Sequence, residues 1–346
     1  METIFISGNP LNTKIINDTK KITGINNFTL IDIPLPLRYR IKNYKNRLYP
    51  PVYTRIKKVI KYLRNANAII STSHNFPEYL SKYEIKKPTL IYLYHGTGTR
   101  AYGFEPSLKE FDHILIPGQY HKDRLIKSFP VKDGQLEMVG VPKLDWMKIK
   151  KSKSQRLFNN DNPIFYYNPH WEIEFSSYLK WKDVILEFFK QKKFYNLIFS
   201  PHPLIQHLSK KTGYELNEIN IVEDNILVDL ESDQCLDGTY TSMADVYIGD
   251  ISSMVTEWVM EKPRPCIFIN AHNVNWKGND DYYIWRFGKV VNELKEFEDA
   301  VKKSTHHNDF EKIQKKLKNE FIYSSDKSSS DLCARFIETK LSIPSK

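Results

Sequence analysis

The feature that most constrains this chain is an alternation of short, β-branched apolar runs with longer amphipathic stretches. Continuous apolar runs of about five residues suit strands of a parallel sheet buried on both faces, and the amphipathic stretches supply helices to cover them. In the first half, strands are expected at Thr3–Ser7, Thr29–Ile33, Ala68–Ser71, Leu90–Tyr94, His113–Ile116 and Leu136–Val139. Helical spacing marks Tyr53–Asn65 and Tyr120–Ser128. A second series places strands at Ile164–Tyr167, Asn196–Phe199, Val246–Ile248 and Cys266–Ile269, with helices at Ser177–Gln191 and Ser253–Met260. The polar stretch Lys148–Asn162 lacks a strand signal and reads as a linker; from Glu293 to Leu341 the chain reads as mostly helical and charged.

Two such series in 346 residues predict an α/β protein of two Rossmann-like lobes, with parallel sheets facing a central cleft and a helical C-terminal tail. The expected division is a first, acceptor-side lobe at 1–150, a second, donor-binding lobe at 151–305, and a tail at 306–346 packing back on the first lobe. At 41% hydrophobic and 13% aromatic residues, the chain has enough apolar material for two cores, which excludes wholesale disorder. No apolar run approaches the roughly 20 residues that cross a bilayer. The N-terminus carries Glu2 where a secretory signal would be basic, so a cytoplasmic location is expected. Cys235, Cys266 and Cys333 are widely spaced and odd in number, as expected of reduced structural thiols rather than a zinc site or disulfide framework.

The net charge of +10 is unevenly spread. Arg38, Arg40, Lys42, Lys45, Arg47, Arg55, Lys57, Lys58, Lys61 and Arg64 fall in one acid-free stretch, with Tyr39, Tyr44, Tyr49 and Tyr53 interleaved. Such a face suits an anionic partner, or is simply a solvated helix surface. No nucleic-acid-binding module accompanies it, so nucleic acid is not the expected partner.

In open α/β sheets, ligands sit beyond the carboxyl ends of the strands, and three candidate motifs lie there. His95-Gly96-Thr97-Gly98 follows Leu90–Tyr94: the glycines admit a close backbone approach, and His95 is a candidate general base. His202 follows Asn196–Phe199, flanked by Pro201 and Pro203, and its N–H suits a departing phosphate. Asp250-Ile251-Ser252-Ser253 follows Val246–Ile248 and opens a helix, which makes it a phosphate site or a plain N-cap. Glu257, one turn further on, is placed to accept ribose hydroxyls. Each histidine has a plain structural reading as a turn or corner residue. Asn270, His272, Trp276 and Tyr283 are candidates to line the donor pocket, or ordinary packing.

In the order of its motifs the chain resembles the CDP-glycerol glycerophosphotransferases of bacterial wall and capsule polymer synthesis. The resemblance runs from about residue 90 to 290, through His95-Gly96-Thr97, Gly140-Val141-Pro142-Lys143-Leu144-Asp145, Asn168-Pro169-His170-Trp171, His202-Pro203 and Ala244–Ser253. It implies a two-lobed, GT-B-like fold. It also implies His95 as base on an acceptor hydroxyl, His202, Ser252 and Ser253 on the donor's phosphates, and CMP as leaving group. Gly96, Thr97, Asp250 and Glu257 join the donor-binding set, and Arg100, Arg55, Lys57, Lys58 and Lys61 form an anion- and acceptor-binding set. Departures are Gly98 where the family has proline, Arg100 for lysine, Lys143 for arginine, Glu172 where an arginine follows the tryptophan, and Thr256-Glu257 for a Phe-Asp type pair.

The function expected from this resemblance is transfer of a polyol phosphate, glycerol phosphate first, from a CDP-activated donor to a hydroxyl of a surface-polysaccharide or lipid-linked acceptor. No cofactor is expected, and the absence of an Asp-x-Asp pair argues against a required metal. Peripheral contact with an anionic inner membrane through the basic stretch is also expected. Two alternatives remain: a glycosyltransferase using a CMP-sugar (sialic acid or Kdo) or another nucleotide sugar, and a non-catalytic binder of anionic polymer or nucleic acid.

Overall fold

The computed structural model describes residues 2–341 other than 9, 34–52, 87, 151–155, 203, 206–218, 220, 231 and 236. Strands β1 (Ile4–Ser7) and β2 (Thr29–Asp32) pair in parallel, joined by helix α1 (Pro10–Thr23). Helix α2 (Tyr53–Arg64) leads to a four-stranded parallel sheet, β3 (Ala68–Ser71), β4 (Thr89–Leu93), β5 (His113–Ile116) and β6 (Leu136–Met138), in that spatial order. Helices α3 (Phe76–Lys82) and α4 (Gln119–Ser128) connect its strands, and α5 (Pro142–Lys150) leaves it. Since α5 runs to Lys150, the first residues of the expected linker are helical; residues 151–155 of it lie outside the described residues.

The second lobe is built on a six-stranded parallel sheet. Its strands are β7 (Ile164–Asn168), β8 (Asn196–Phe199), β9 (Ile226–Val228), β10 (Val246–Gly249), β11 (Cys266–Ile269) and β12 (Lys289–Val291). Their spatial order is β12-β11-β10-β7-β8-β9. Winding therefore reverses between β7 and β10, which makes the crevice outside those two strand ends the topological switch point where ligands bind in such sheets. The three-residue strands β9 and β12 are not among the strands expected from the sequence.

Period-2 alternation explains how the sheet fills both its faces. Phe165, Tyr167, Leu197, Phe199, Val246 and Ile248 pack on α6 (Tyr178–Gln191). Tyr166, Ile198, Tyr247 and Phe268 face the opposite side, toward α8 (Ser253–Glu261); the five-residue α7 (Thr239–Met243) precedes β10. Helix α9 (Leu294–Ser304) adds Phe297 and Val301 to the first of these cores.

Helix α10 (Glu311–Phe321) touches α4 of the first lobe and α8 of the second, and α11 (Ser329–Leu341) lies on α5. Cys333, Leu332, Phe336 and Ile337 of α11 cover Ile91, Leu115 and Val139 on one face of the four-stranded sheet. All three cysteines are free and buried. No described helix is long and apolar enough to cross a membrane.

Candidate active site

Segments that follow the carboxyl ends of β4, β7 and β10 touch across the two lobes, through Thr97 with Thr256 and Arg100 with Glu172. On the first lobe, Tyr94 remains buried after β4 and donates its hydroxyl to the Gly103 carbonyl, closing the loop between them. His95 is the first residue to leave that core, and its side chain is exposed while Thr97 and Thr99 are buried. Protein surrounds the imidazole on most sides even though its surface meets water, as a cleft residue should. Burial therefore lowers its pKa from 6.5; Lys143 lowers it further and Glu257 opposes the change. His95 is thus neutral at pH 7 and free to accept a proton.

Behind His95, Thr97 donates its hydroxyl to that of Thr256 on α8, a buried contact that joins the lobes. Gly140 takes a left-handed φ of 77°, and a Cβ there would meet Ser329 Oγ at 2.3 Å. After that turn α5 presents Lys143, whose Nζ donates to both carboxylate oxygens of Glu257 at 2.9 and 2.8 Å. Asp145, on the same helix, accepts from the backbone N–H and hydroxyl of Ser330 at 2.8 and 2.9 Å, fastening the tail. Arg100 pairs with Glu172 of the second lobe and lies over the Phe175 ring. So the Arg100 guanidinium and the acid at position 172 satisfy one another across the cleft.

On the second lobe, the switch point is drawn together by close backbone approach. A Cβ at Gly249 would lie 2.9 Å from the Asn168 carbonyl oxygen and 2.6 Å from the Tyr247 hydroxyl, so only glycine fits where β10 leaves β7. Asp250 is fully buried, and its Oδ2 accepts the backbone N–H groups of His170 and Ser177, each at 2.9 Å. Burial pushes its carboxyl up to about 7 against the pull of those two hydrogen bonds. Placed there, Asp250 shapes the loop after β7 rather than meeting the cleft. Ser252 is the N-cap of α8, its hydroxyl oxygen accepting from Met254 N at 3.2 Å. Ser253 opens the helix beside it.

His202 Nδ1 accepts the Leu204 N–H at 3.1 Å, which places the ring proton on Nε2. Burial lowers its pKa to about 4. His170, not among the expected site residues, lies 6.0 Å from His202 between ring centroids. Its Nδ1 accepts from Glu172 N at 3.1 Å, and burial, Arg100 and His202 together lower its pKa to about 3. The two neighbouring imidazoles are therefore neutral at pH 7; His202 keeps its Nε2–H as a donor, whereas His170 Nε2 lies 3.4 Å from Arg100 Nη1.

The remaining expected residues are committed to other partners or lie elsewhere. Glu257 is 4% exposed and its carboxylate is held by Lys143, so it is not open to a ribose. Lys57, Lys58 and Lys61 are exposed on α2, beyond the buried Val59 and Leu63; Arg55 lies on the same helix. Asn270 is spent on Val274 and Asn292, and His272 on the Ser176 carbonyl. Trp276 packs on Trp285, and Tyr283 on Tyr120 and Phe321, so these are packing residues. Lys143 and His170 are not among the expected site residues, although both lie in motifs visible in the sequence. Their signal was position alone, each within a few residues of a strand's carboxyl end.

Solved structures of the same two-lobed fold include a variant of the wall teichoic acid polymerase TagF, at 15% identity and a TM-score of 0.65, covering 98% of this chain and 90% of that one. A TagF variant soaked with CDPG matches at 16% identity and a TM-score of 0.58, covering 99% and 90%. MnaA of S. aureus, solved with UDP, matches at 12% identity and a TM-score of 0.60, covering 100% and 98%. At these identities the likeness speaks for the fold. No curated protein matches the sequence. The family model for CDP-glycerol:poly(glycerophosphate) glycerophosphotransferase matches residues 39–339, most of the chain and every cleft residue described above, and the chain belongs to that family of transferases.

Proposed function

We propose that this protein transfers a polyol phosphate, glycerol phosphate first, from a CDP-linked donor to an acceptor hydroxyl, with CMP as leaving group. The observation that carries this reading is the placement of His95. It is a neutral, cleft-exposed imidazole joined through Thr97 and Thr256 to the helix that starts at the second lobe's switch point. In the proposed reaction the donor's phosphates lie at that switch point, near the N–H of His202 and the start of α8 at Ser252 and Ser253. His95 takes the proton of the attacking hydroxyl as its oxygen bonds to the β-phosphorus. The bond from that phosphorus to the bridging oxygen breaks, and CMP departs with both electrons. Donors near His202 and the helix start stabilise the charge growing on the bridging oxygen.

The exposed lysines of α2 are proposed to draw an anionic acceptor or an anionic membrane surface to the first lobe. CMP release from CDP-glycerol, measured with glycan and lipid-linked acceptors, tests the reading. Release that requires both acceptor and His95 supports it. Turnover of a CMP-sugar with none of CDP-glycerol would replace it with the glycosyltransferase reading.

A further inference from the structure

Each inter-lobe ion pair seen among the described residues has its cation on the first lobe and its acid on the second. The pairs are Lys14 with Asp233, Arg100 with Glu172, Arg124 with Asp281 and Lys143 with Glu257. Two of them have no place in a ligand contact at the switch point. Lys14 belongs to α1, and Arg124 is further committed to the Thr99 carbonyl, the Tyr120 hydroxyl and the Phe104 ring. The other two flank the switch point: Glu257 follows Thr256 on α8, and Glu172 lies in the loop that Asp250 ties to β10. Their cations are also the accessible members, with side-chain exposures of 36% for Lys143 against 4% for Glu257, and 28% for Arg100 against 21% for Glu172.

We infer that Lys143 and Arg100 bind the phosphates of the donor, and that Glu257 and Glu172 are exchangeable counter-ions which an entering diphosphate displaces. The inference rests on the reading of the cleft as a nucleotide site. A diphosphate approaching this crevice meets two carboxylates as well as two cations. Attraction exceeds repulsion only if phosphate oxygens take over the ammonium and the guanidinium, for which they are strong, multidentate partners. The carboxylates then set how much negative charge a ligand must carry to open the pairs. A diphosphate carries charge enough for both cations; a neutral sugar or a nucleoside carries none. Specificity for the charged portion of the donor follows from this competition as much as from direct contact.

The test is calorimetric titration of the full chain with CDP and, separately, with inorganic pyrophosphate. Variants are Glu257→Gln, Glu172→Gln, Lys143→Ala and the Lys143→Ala/Glu257→Gln pair, each checked for folding by its melting temperature. Removing either acid should tighten both ligands several-fold. Lys143→Ala should weaken them by about tenfold or more, the loss of one charge-assisted contact. The double variant, which leaves no buried carboxylate unpaired, should bind more weakly than the wild type but less weakly than Lys143→Ala, and keeps the test valid if that single variant does not fold. If the Gln variants weaken binding as Lys143→Ala does, the pairs are fixed structural bridges and the inference falls. A wild-type chain that binds pyrophosphate but not CDP, with these signs retained, would uphold the exchange and overturn the cytidine reading. Binding of neither would overturn both.

Discussion

Asp250 Oδ2 lies 2.9 Å from the backbone nitrogen of His170, and this bond ties the end of β10 to the loop after β7 across the switch point. Since the same oxygen holds Ser177 N, replacing Asp250 by Ala strands two buried N–H groups. A loss of roughly 2–5 kcal/mol in unfolding free energy is expected from that, whereas Asp250→Asn retains an acceptor oxygen and most of the stability. Denaturant unfolding of the two variants checks the difference. The pH dependence is equally specific. The Asp250 carboxyl is raised from 3.8 to about 7, so between those values the folded protein holds a proton that the unfolded chain has released. Its contribution to stability is present at acid pH and declines as pH rises toward 7. In Asp250→Asn that component of the stability–pH curve should vanish.

His202 and His170 act in the opposite direction. Burial lowers them to about 4 and about 3, so below pH 6.5 the unfolded chain takes up protons that the folded chain refuses. Their contribution is complete above pH 6.5 and falls away toward pH 4. Unfolding midpoints measured from pH 7 to pH 4 should drop less steeply in a His170→Gln variant than in the wild type.

His95 is expected to determine the acid limb of turnover. Its pKa is lowered from 6.5, so kcat/KM should rise with pH up to an inflection below 6.5 and then level. His95→Ala should lose about 10²–10⁴-fold in kcat, the usual worth of a positioned base, while its affinity for CDP changes little. A variant with unchanged kcat would remove His95 from the mechanism.

Gly118 marks the seam between α4 and α10. A Cβ there would lie 2.6 Å from the Phe321 carbonyl oxygen and 2.9 Å from Ile322 N, and backbone cannot yield as a side chain does. Gly118→Ala should therefore cost about 1–3 kcal/mol and displace the helix on which Tyr120 stacks with Phe321 at 4.3 Å. Thermal unfolding reads the first effect, and loss of the ring-current shift on the Phe321 side chain reads the second.

Reversing Lys57, Lys58, Lys61 and Arg55 to Glu tests the basic face of α2. The three lysines are exposed and distant in sequence from every cleft residue. KM for an anionic acceptor should rise several-fold and lose its dependence on salt, with KM for the donor unchanged. An unaltered acceptor KM together with unaltered binding to anionic vesicles would show that the helix is only a solvated surface.

Much of this architecture was legible because buried parallel strands write themselves as apolar runs: Ala68–Ser71, His113–Ile116, Asn196–Phe199 and Cys266–Ile269 stand where the pattern placed them. Where it failed the local pattern is weak: β9 and β12 are three-residue strands with no long apolar run, and α1 mixes Asn, Thr and Lys into a weakly apolar face. For the cleft, strand ends identified which residues to examine but not their partners. Whether Asp250 faces a ligand or a loop, and whether Glu257 faces a ribose or Lys143, depends on contacts between segments 80 to 114 residues apart. Local sequence does not encode such distant pairings.

The helix that covers Ile91, Leu115 and Val139 is supplied by residues 332–337, roughly 200 residues later than the strands it protects. On the ribosome, at about 5–20 residues per second, the first sheet keeps one greasy face uncovered for some ten to forty seconds while the second lobe is made. That interval is an opportunity for wrong association, and it makes α11 the closing step of first-lobe assembly rather than an appendage. A chain cut before Ser329 should emerge with its second sheet intact and its first one sticky, recruiting chaperones or precipitating instead of merely losing activity.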